Sequence, residues 1–187
     1  MWKSAAIFCG SKMGKNKLFA AHAEQTGVIL AENNIQLIYG GGKNGLMGIV
    51  ANAALKNNGK VVGVIPSLLS KKEQQHEALT ALHIVEDMHA RKKMMFALCD
   101  AAIILPGGYG TMDEFFELIT WNQLNIHNKK IVLLNSGGYY NSLIMQFQQM
   151  QDEGFLYNSW NENISIIADP TALLSVLDED THQSHRE

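Results

Sequence analysis

The stretch Ala101-Ala102-Ile103-Ile104-Leu105-Pro106-Gly107-Gly108-Tyr109-Gly110-Thr111-Met112-Asp113-Glu114 decides how this chain folds. Its first five residues are all apolar and are stopped by Pro-Gly-Gly, the pattern of a short central parallel strand buried on both faces. From Phe115 to Leu124 the residues are amphipathic, so strand, glycine turn and helix follow one another. Thr111 with Glu114 three residues later has the form of a capping box and predicts the helix start there. Such a turn gathers backbone N–H groups and the positive end of a helix dipole in one small space, which suits an anion, phosphate above all. Glu114, a carboxylate at the rim of that space, reads either as a cap or as a chemical group. A cap needs only the Thr and the Glu, whereas Gly107, Gly108 and Gly110 strip side chains from the approach of a ligand.

Outward from this stretch, short apolar runs alternate with helical patterns. Strands are expected at Ala5 to Cys9, Ile35 to Tyr39, Val61 to Ile65, Leu82 to Val85, Ile131 to Leu134 and Ile164 to Ile167. Helices are expected from about Asn16 to Glu32, through Ala54, from about Glu86 through Leu98, from Tyr140 to Asp152, and from Pro170 to Leu177, with proline in the first turn. The segment Ser67 to Thr80 reads as loop or short helix. This alternation predicts an α/β fold, a Rossmann-like doubly wound parallel sheet with helices on both faces and right-handed crossovers. With core strand order 3-2-1-4-5, the loop at Gly10 and the turn at Gly107 would flank one ligand at the switch point. Residues 1–177 are expected to form a single domain and 178–187 a disordered tail.

The chain has 187 residues, 47% of them hydrophobic, enough for a core of its own. Its formal charge is −3 and its lysines and arginines are scattered, which argues against nucleic acid or an anionic membrane as partner and leaves small molecules. Two cysteines, Cys9 and Cys99, with no Cys-x-x-Cys and no His/Cys cluster at ligand spacing, suggest a reducing compartment and no metal. With no signal-peptide core or membrane-length run, the expectation is a cytoplasmic protein.

Gly40, Gly42 and Gly45 match the dinucleotide fingerprint G-x-G-x-x-G, but the acidic residue expected about twenty positions later, at the end of the next strand, is replaced by Val64, Ile65 and Pro66. A mononucleotide therefore fits better than NAD or FAD, and close packing alone is the bland alternative. Arg91-Lys92-Lys93 reads on charge pattern as a solvated basic face, although cations near a helix start oppose the dipole. His89 reads as a surface or capping histidine, and Met88, Met94 and Met95 as core. Asp87 is either a helix N-cap or a contact to a ribose hydroxyl. Trp121, with Phe115, Phe116, Leu118 and Ile119, gives its helix more than one apolar face, which a homodimer would cover.

Two motifs together resemble a known family. Pro106-Gly107-Gly108-Tyr109-Gly110-Thr111-Met112-Asp113-Glu114 fits PGGxGTxxE in full, and Met88-His89-Ala90-Arg91-Lys92-Lys93-Met94 lies upstream. They are similar to the LOG ("lonely guy") cytokinin-activating phosphoribohydrolases, whose older description is "possible lysine decarboxylase". Gly40 to Gly42, Gly45 to Gly48 and Ile119 to Leu124 extend the likeness. The resemblance implies hydrolysis of the N-glycosidic bond of an adenosine-type 5′-monophosphate, AMP or an N6-substituted AMP, to free base and ribose 5-phosphate. It implies Arg91 and Glu114 as the catalytic pair, phosphate held at Gly107, Gly108, Tyr109, Gly110 and Thr111, no metal or other cofactor, and a homodimer. Gly10, Ser11, Gly41, Gly42, Met88 and Lys92 complete the expected substrate contacts. The alternative is a non-catalytic nucleotide or molybdenum-cofactor binding protein of a related fold. Lysine decarboxylation would require a Schiff-base lysine in a defined pyridoxal phosphate site, and nothing in the sequence marks one.

Overall fold

In a computed structural model of the protein, described over residues 2–70 and 75–177, seven strands form one parallel sheet in the order β4-β3-β2-β1-β5-β6-β7. The strands are β1 (Ser4–Phe8), β2 (Gln36–Tyr39), β3 (Val61–Pro66), β4 (Ala81–Val85), β5 (Ala101–Ile104), β6 (Lys130–Leu134) and β7 (Ile164–Ile167). The expected core order is present as β3-β2-β1-β5-β6, with β4 and β7 added at the edges. The tail expected beyond residue 177 lies outside the described residues.

Among the described residues six α-helices connect the strands: α1 (Lys17–Glu32), α2 (Gly45–Lys56), the single turn α3 (Ser67–Ser70), α4 (Met88–Leu98), α5 (Tyr109–Gln123) and α6 (Asn141–Asp152). Side chains alternate across each strand, so β1 sends Ala5 and Ile7 to one layer and Ala6 and Phe8 to the other. The first layer holds α1, α2 and 173–177. The second packs Met95 and Phe96 of α4, Phe115 and Leu118 of α5, and Phe147 of α6. Central strands β5 and β6 are apolar on both sides because both faces are covered. Each fully buried Ile or Leu there contributes about 1.5–3 kcal/mol over its exposed state.

The register of the sheet positions the site. Ala5 pairs with Ala101 and Phe8 with Ile104, and the ladder continues past both strand ends. The Leu105 N–H donates to the Phe8 carbonyl at 2.9 Å, and the Gly10 N–H to the Pro106 carbonyl at 3.0 Å. The two loops expected to face one ligand are thus hydrogen-bonded to each other at the switch point, where the chain leaves β1 for β2 on one side and returns after β4 to add β5 on the other.

Candidate active site

The glycine turn is held in place by its carbonyls and open on the other side. A Cβ on Gly107 would lie 2.1 Å from the Thr111 hydroxyl oxygen, so this glycine is required by packing. A Cβ on Gly108 or Gly110 would meet nothing within 4 Å. Those two glycines keep a space clear. Helix α5 begins earlier than a capping box would have it: Gly108 is the N-cap, Thr111 is the third helical residue and Glu114 the sixth. The capping box is therefore not formed. Tyr109 and Gly110, which read as loop, are helical, because a glycine N-cap starts the helix without a side-chain bond. The N–H groups of Tyr109, Gly110 and Thr111 fall in the first turn, where helix geometry gives them no acceptor inside the helix.

Freed from capping, Glu114 lies one turn beyond Thr111 on the same face and only 6% exposed. Its Oε1 is 3.6 Å from Nη2 of Arg91, which is 7% exposed. Arg91 comes from α4, and its guanidinium fits against Gly40 at the end of β2, where a Cβ would stand 2.0 Å from Nη2. Arg91 Nη1 also reaches the Met88 sulfur at 3.8 Å, and its Nε is buried without a hydrogen-bond partner among the described residues. Gly40, Gly10 and Gly107 close three adjacent strands, so the ion pair sits at the carboxyl edge of the sheet. Cys9 lies within the field of the pair: burial first, then the Glu114 carboxylate, push its thiol far up, with Arg91 opposing.

The remaining expected residues divide. Arg91 and Lys92 are not a solvated basic face, since both are buried. The Lys92 ammonium bonds Asp113 at 3.0 Å and pairs with Glu117, tying α4 to α5 beside the Arg91–Glu114 pair. Burial alone would lower the Lys92 pKa, but the bonds and charges of Glu117 and Asp113 outweigh it and raise the value. Asp87 is the N-cap of α4, accepting the Ala90 N–H at 2.8 Å. Tyr109 is 96% exposed and Ser11 is exposed, its backbone lying against Gly45, where a Cβ would be 2.3 Å from the Ser11 carbonyl carbon. Gly45 thus serves the close packing that its bland reading supposed. Gly41 and Gly42 are buried, with the Gly41 carbonyl accepting from His76 N–H at 3.1 Å and Gly42 bridged to Gln75.

Sequence reasoning did not place Gly40 and Cys9 among the site residues. Gly40 reads only as the first glycine of the G-x-G-x-x-G match, and the signal of Cys9 is its position at the end of β1. A separate cavity of about 600 Å³ lies between the C-terminal half of α5, α6 and the segment before β7, lined by Phe116, His127, Phe147 and Trp160 among others. None of its lining residues belongs to the Arg91–Glu114 site.

The parallel sheet, the crossed-over switch point and the glycine turns at three strand ends make this a Rossmann-like α/β protein with a buried Arg–Glu pair at its crevice. A family model described as "possible lysine decarboxylase" matches residues 47–177, and the chain belongs to that family, the LOG family. It is 45% identical to the cytokinin riboside 5′-monophosphate phosphoribohydrolase of Rhodococcoides fascians over 89% of this chain and 85% of that protein. It is 46% identical to the cytokinin riboside 5′-monophosphate phosphoribohydrolase LOG4 of Arabidopsis thaliana over 89% of this chain and 76% of that one. Among solved structures, the molybdenum cofactor binding protein of Rippkaea orientalis superposes with a TM-score of 0.72 at 20% identity, covering 97% of this chain and 98% of its own. At that identity the likeness shows the fold.

Proposed function

We propose that the protein hydrolyses the N-glycosidic bond of adenosine-type 5′-monophosphates, AMP or N6-substituted AMP, giving free base and ribose 5-phosphate. The observation that carries this reading is the buried Arg91–Glu114 pair one helical turn from an uncluttered glycine turn. A phosphate at Gly107 to Thr111 would meet first-turn N–H groups and the positive end of the α5 dipole. Anchoring this non-reacting group sets the distance from the ribose to Glu114 and turns binding into positioning. As the C1′–N9 bond breaks, its electron pair leaves with the base and positive charge grows on C1′ and the ring oxygen. The Glu114 carboxylate stabilises that charge and takes a proton from the water whose oxygen bonds C1′; the departing base takes up one proton at nitrogen from solvent and Glu114 releases its own to solvent, so that one water is consumed in all. Arg91 fixes the carboxylate and balances its charge before substrate enters.

The relatives named as phosphoribohydrolases support this reading, at identities that extend over most of both chains. The rival, a non-catalytic molybdenum-cofactor carrier, has support only in distant likeness of fold. Lysine decarboxylation is disfavoured by chemistry, since a Schiff-base lysine needs a depressed pKa and Lys92 is held protonated by two carboxylates. A homodimer, cytoplasmic in location, belongs to the same proposal, supported by the exposed apolar Phe116, Leu124, Ile126 and Met145. Among the described residues no helix is long and apolar enough to cross a membrane. The test is a substrate panel of AMP, isopentenyl-AMP and adenosine followed by chromatography: base appears from the monophosphates and falls steeply for adenosine, which lacks the anchor. Retention of intact nucleotide through purification with no hydrolysis would favour the carrier.

A further inference from the structure

The mechanism above uses the N–H side of the Gly107 turn; the carbonyl side is equally organised. Three successive carbonyls are held. Leu105 O accepts from the Tyr140 hydroxyl at 2.7 Å, Pro106 O from the Gly10 N–H at 3.0 Å, and Gly107 O from the Tyr139 hydroxyl at 2.6 Å. Both tyrosines leave a turn after β6 in which Gly137 and Gly138 take positive φ, 57° and 75°. That turn is pinned by the Tyr140 N–H donating to Asn135 Oδ1 at 2.7 Å.

The two anchors differ in what the fold requires of them. Tyr140 is buried and its bond satisfies a buried carbonyl, which any stable core needs. Burial pushes its hydroxyl pKa far up, so it remains a donor. Tyr139 is 46% exposed, and the Gly107 carbonyl it holds could be hydrated by solvent instead. Stability alone gives Tyr139 little reason to stay in place, yet its ring is set edge-on against Phe19 at 5.4 Å and against Tyr140 at 4.8 Å. In a trans peptide the C=O and the following N–H point in opposite directions. Holding Gly107 O on the Tyr139 hydroxyl therefore fixes the Gly108 N–H on the opposite side of the peptide, away from Tyr139. A Gly-Gly peptide rotates easily, since neither residue is confined by a Cβ. Rotated, it would present a carbonyl oxygen to an incoming phosphate.

We propose that Tyr139 is a positioning residue for the phosphate end of the substrate, locking the Gly107–Gly108 peptide with its N–H, and not its carbonyl, facing the anion. The proposal rests on the phosphoribohydrolase reading and names a further residue for its site. The test compares wild type with Tyr139→Phe, which keeps the ring and its aromatic contacts and removes only the hydroxyl. Inhibition constants are measured for the two products, ribose 5-phosphate and adenine, together with kcat and KM for AMP. Expected is a rise of about three- to tenfold in the ribose 5-phosphate constant and in KM, the loss of one hydrogen bond's worth of ordering. The adenine constant stays within about twofold because the base end is untouched, and kcat falls by no more than the ribose 5-phosphate constant rises, since only the anchor and not Glu114 is altered. An unchanged ribose 5-phosphate constant, or equal rises for both products as general loosening would give, overturns the proposal. A wild-type protein that neither hydrolyses AMP nor responds to ribose 5-phosphate overturns the reading beneath it as well.

Discussion

Replacing Glu114 by glutamine probes the site with the least change of shape. The carboxylate lies 3.6 Å from the Arg91 guanidinium with both side chains nearly buried. At an effective dielectric of about 20, two unit charges at that distance attract by about 5 kcal/mol, before the desolvation both have undergone. Glutamine keeps a carbonyl oxygen for Arg91 and loses the charge, so the net destabilisation is about 1–3 kcal/mol. In a chain of this size that lowers Tm by about 2–4 °C per kcal/mol. Catalysis suffers more. Loss of the general base alone reduces kcat about a hundred- to ten-thousand-fold, or about 2.7–5.4 kcal/mol of barrier. The phosphate turn is intact in this variant, so KM for AMP changes little. The assay is steady-state release of adenine by wild type and Glu114→Gln, with thermal melts of both as control. A variant that retains full kcat while its melting temperature falls would reduce Glu114 to a structural partner of Arg91.

The glycines give a paired expectation: Gly110→Ala folds, gains about 0.5–1 kcal/mol of helix stability, and raises KM by placing a methyl in the cleared space. Gly107→Ala instead drives a Cβ against Thr111 and loses stability; thermal melts and KM measured on both variants separate the two roles. Both thiols should be inert in the native protein, Cys9 pushed far up by burial and Cys99 raised to about 11. Ellman's reagent should then find two thiols after denaturation and no fast-reacting one before it, a rapid native reaction of Cys9 contradicting the environment described. The folded-state pKa of Lys92 is raised above its unfolded value of 10.5, so its contribution is complete below that pH and is lost as pH rises through the folded value. Lys92→Met should cost about 1.5–3 kcal/mol at pH 7, and chemical denaturation should show the gap to wild type closing at pH values above 10.5.

The sheet was legible because its strands are short apolar runs with abrupt stops. Ala101 to Leu105 ends at Pro106, and a strand buried on both faces has no polar alternation to blur it. The core order followed from alternation with helices and from handedness, and the resemblance in two motifs pointed to the family and to Arg91 and Glu114. Helix starts were less legible. A glycine N-cap such as Gly108 carries no side-chain signature, so Thr111 and Glu114 imitated a capping box three residues too late. Charge pattern failed at Arg91 and Lys92, because their burial depends on Glu114, Asp113 and Glu117 more than twenty residues away. Tyr139 and Tyr140 were invisible for the same reason: each finds its carbonyl more than thirty residues back along the chain, through a turn whose two glycines gave no hint of it.

This crevice is expected to break an N-ribosyl bond in a phosphorylated nucleoside. Purified protein incubated with AMP or isopentenyl-AMP, with base and ribose 5-phosphate both quantified over time, tests it most directly. The two products are expected in equal amounts, at rates about a hundred- to ten-thousand-fold lower in Glu114→Gln; persistence of both monophosphates, or loss of phosphate with the nucleoside left whole, would refute this chemistry.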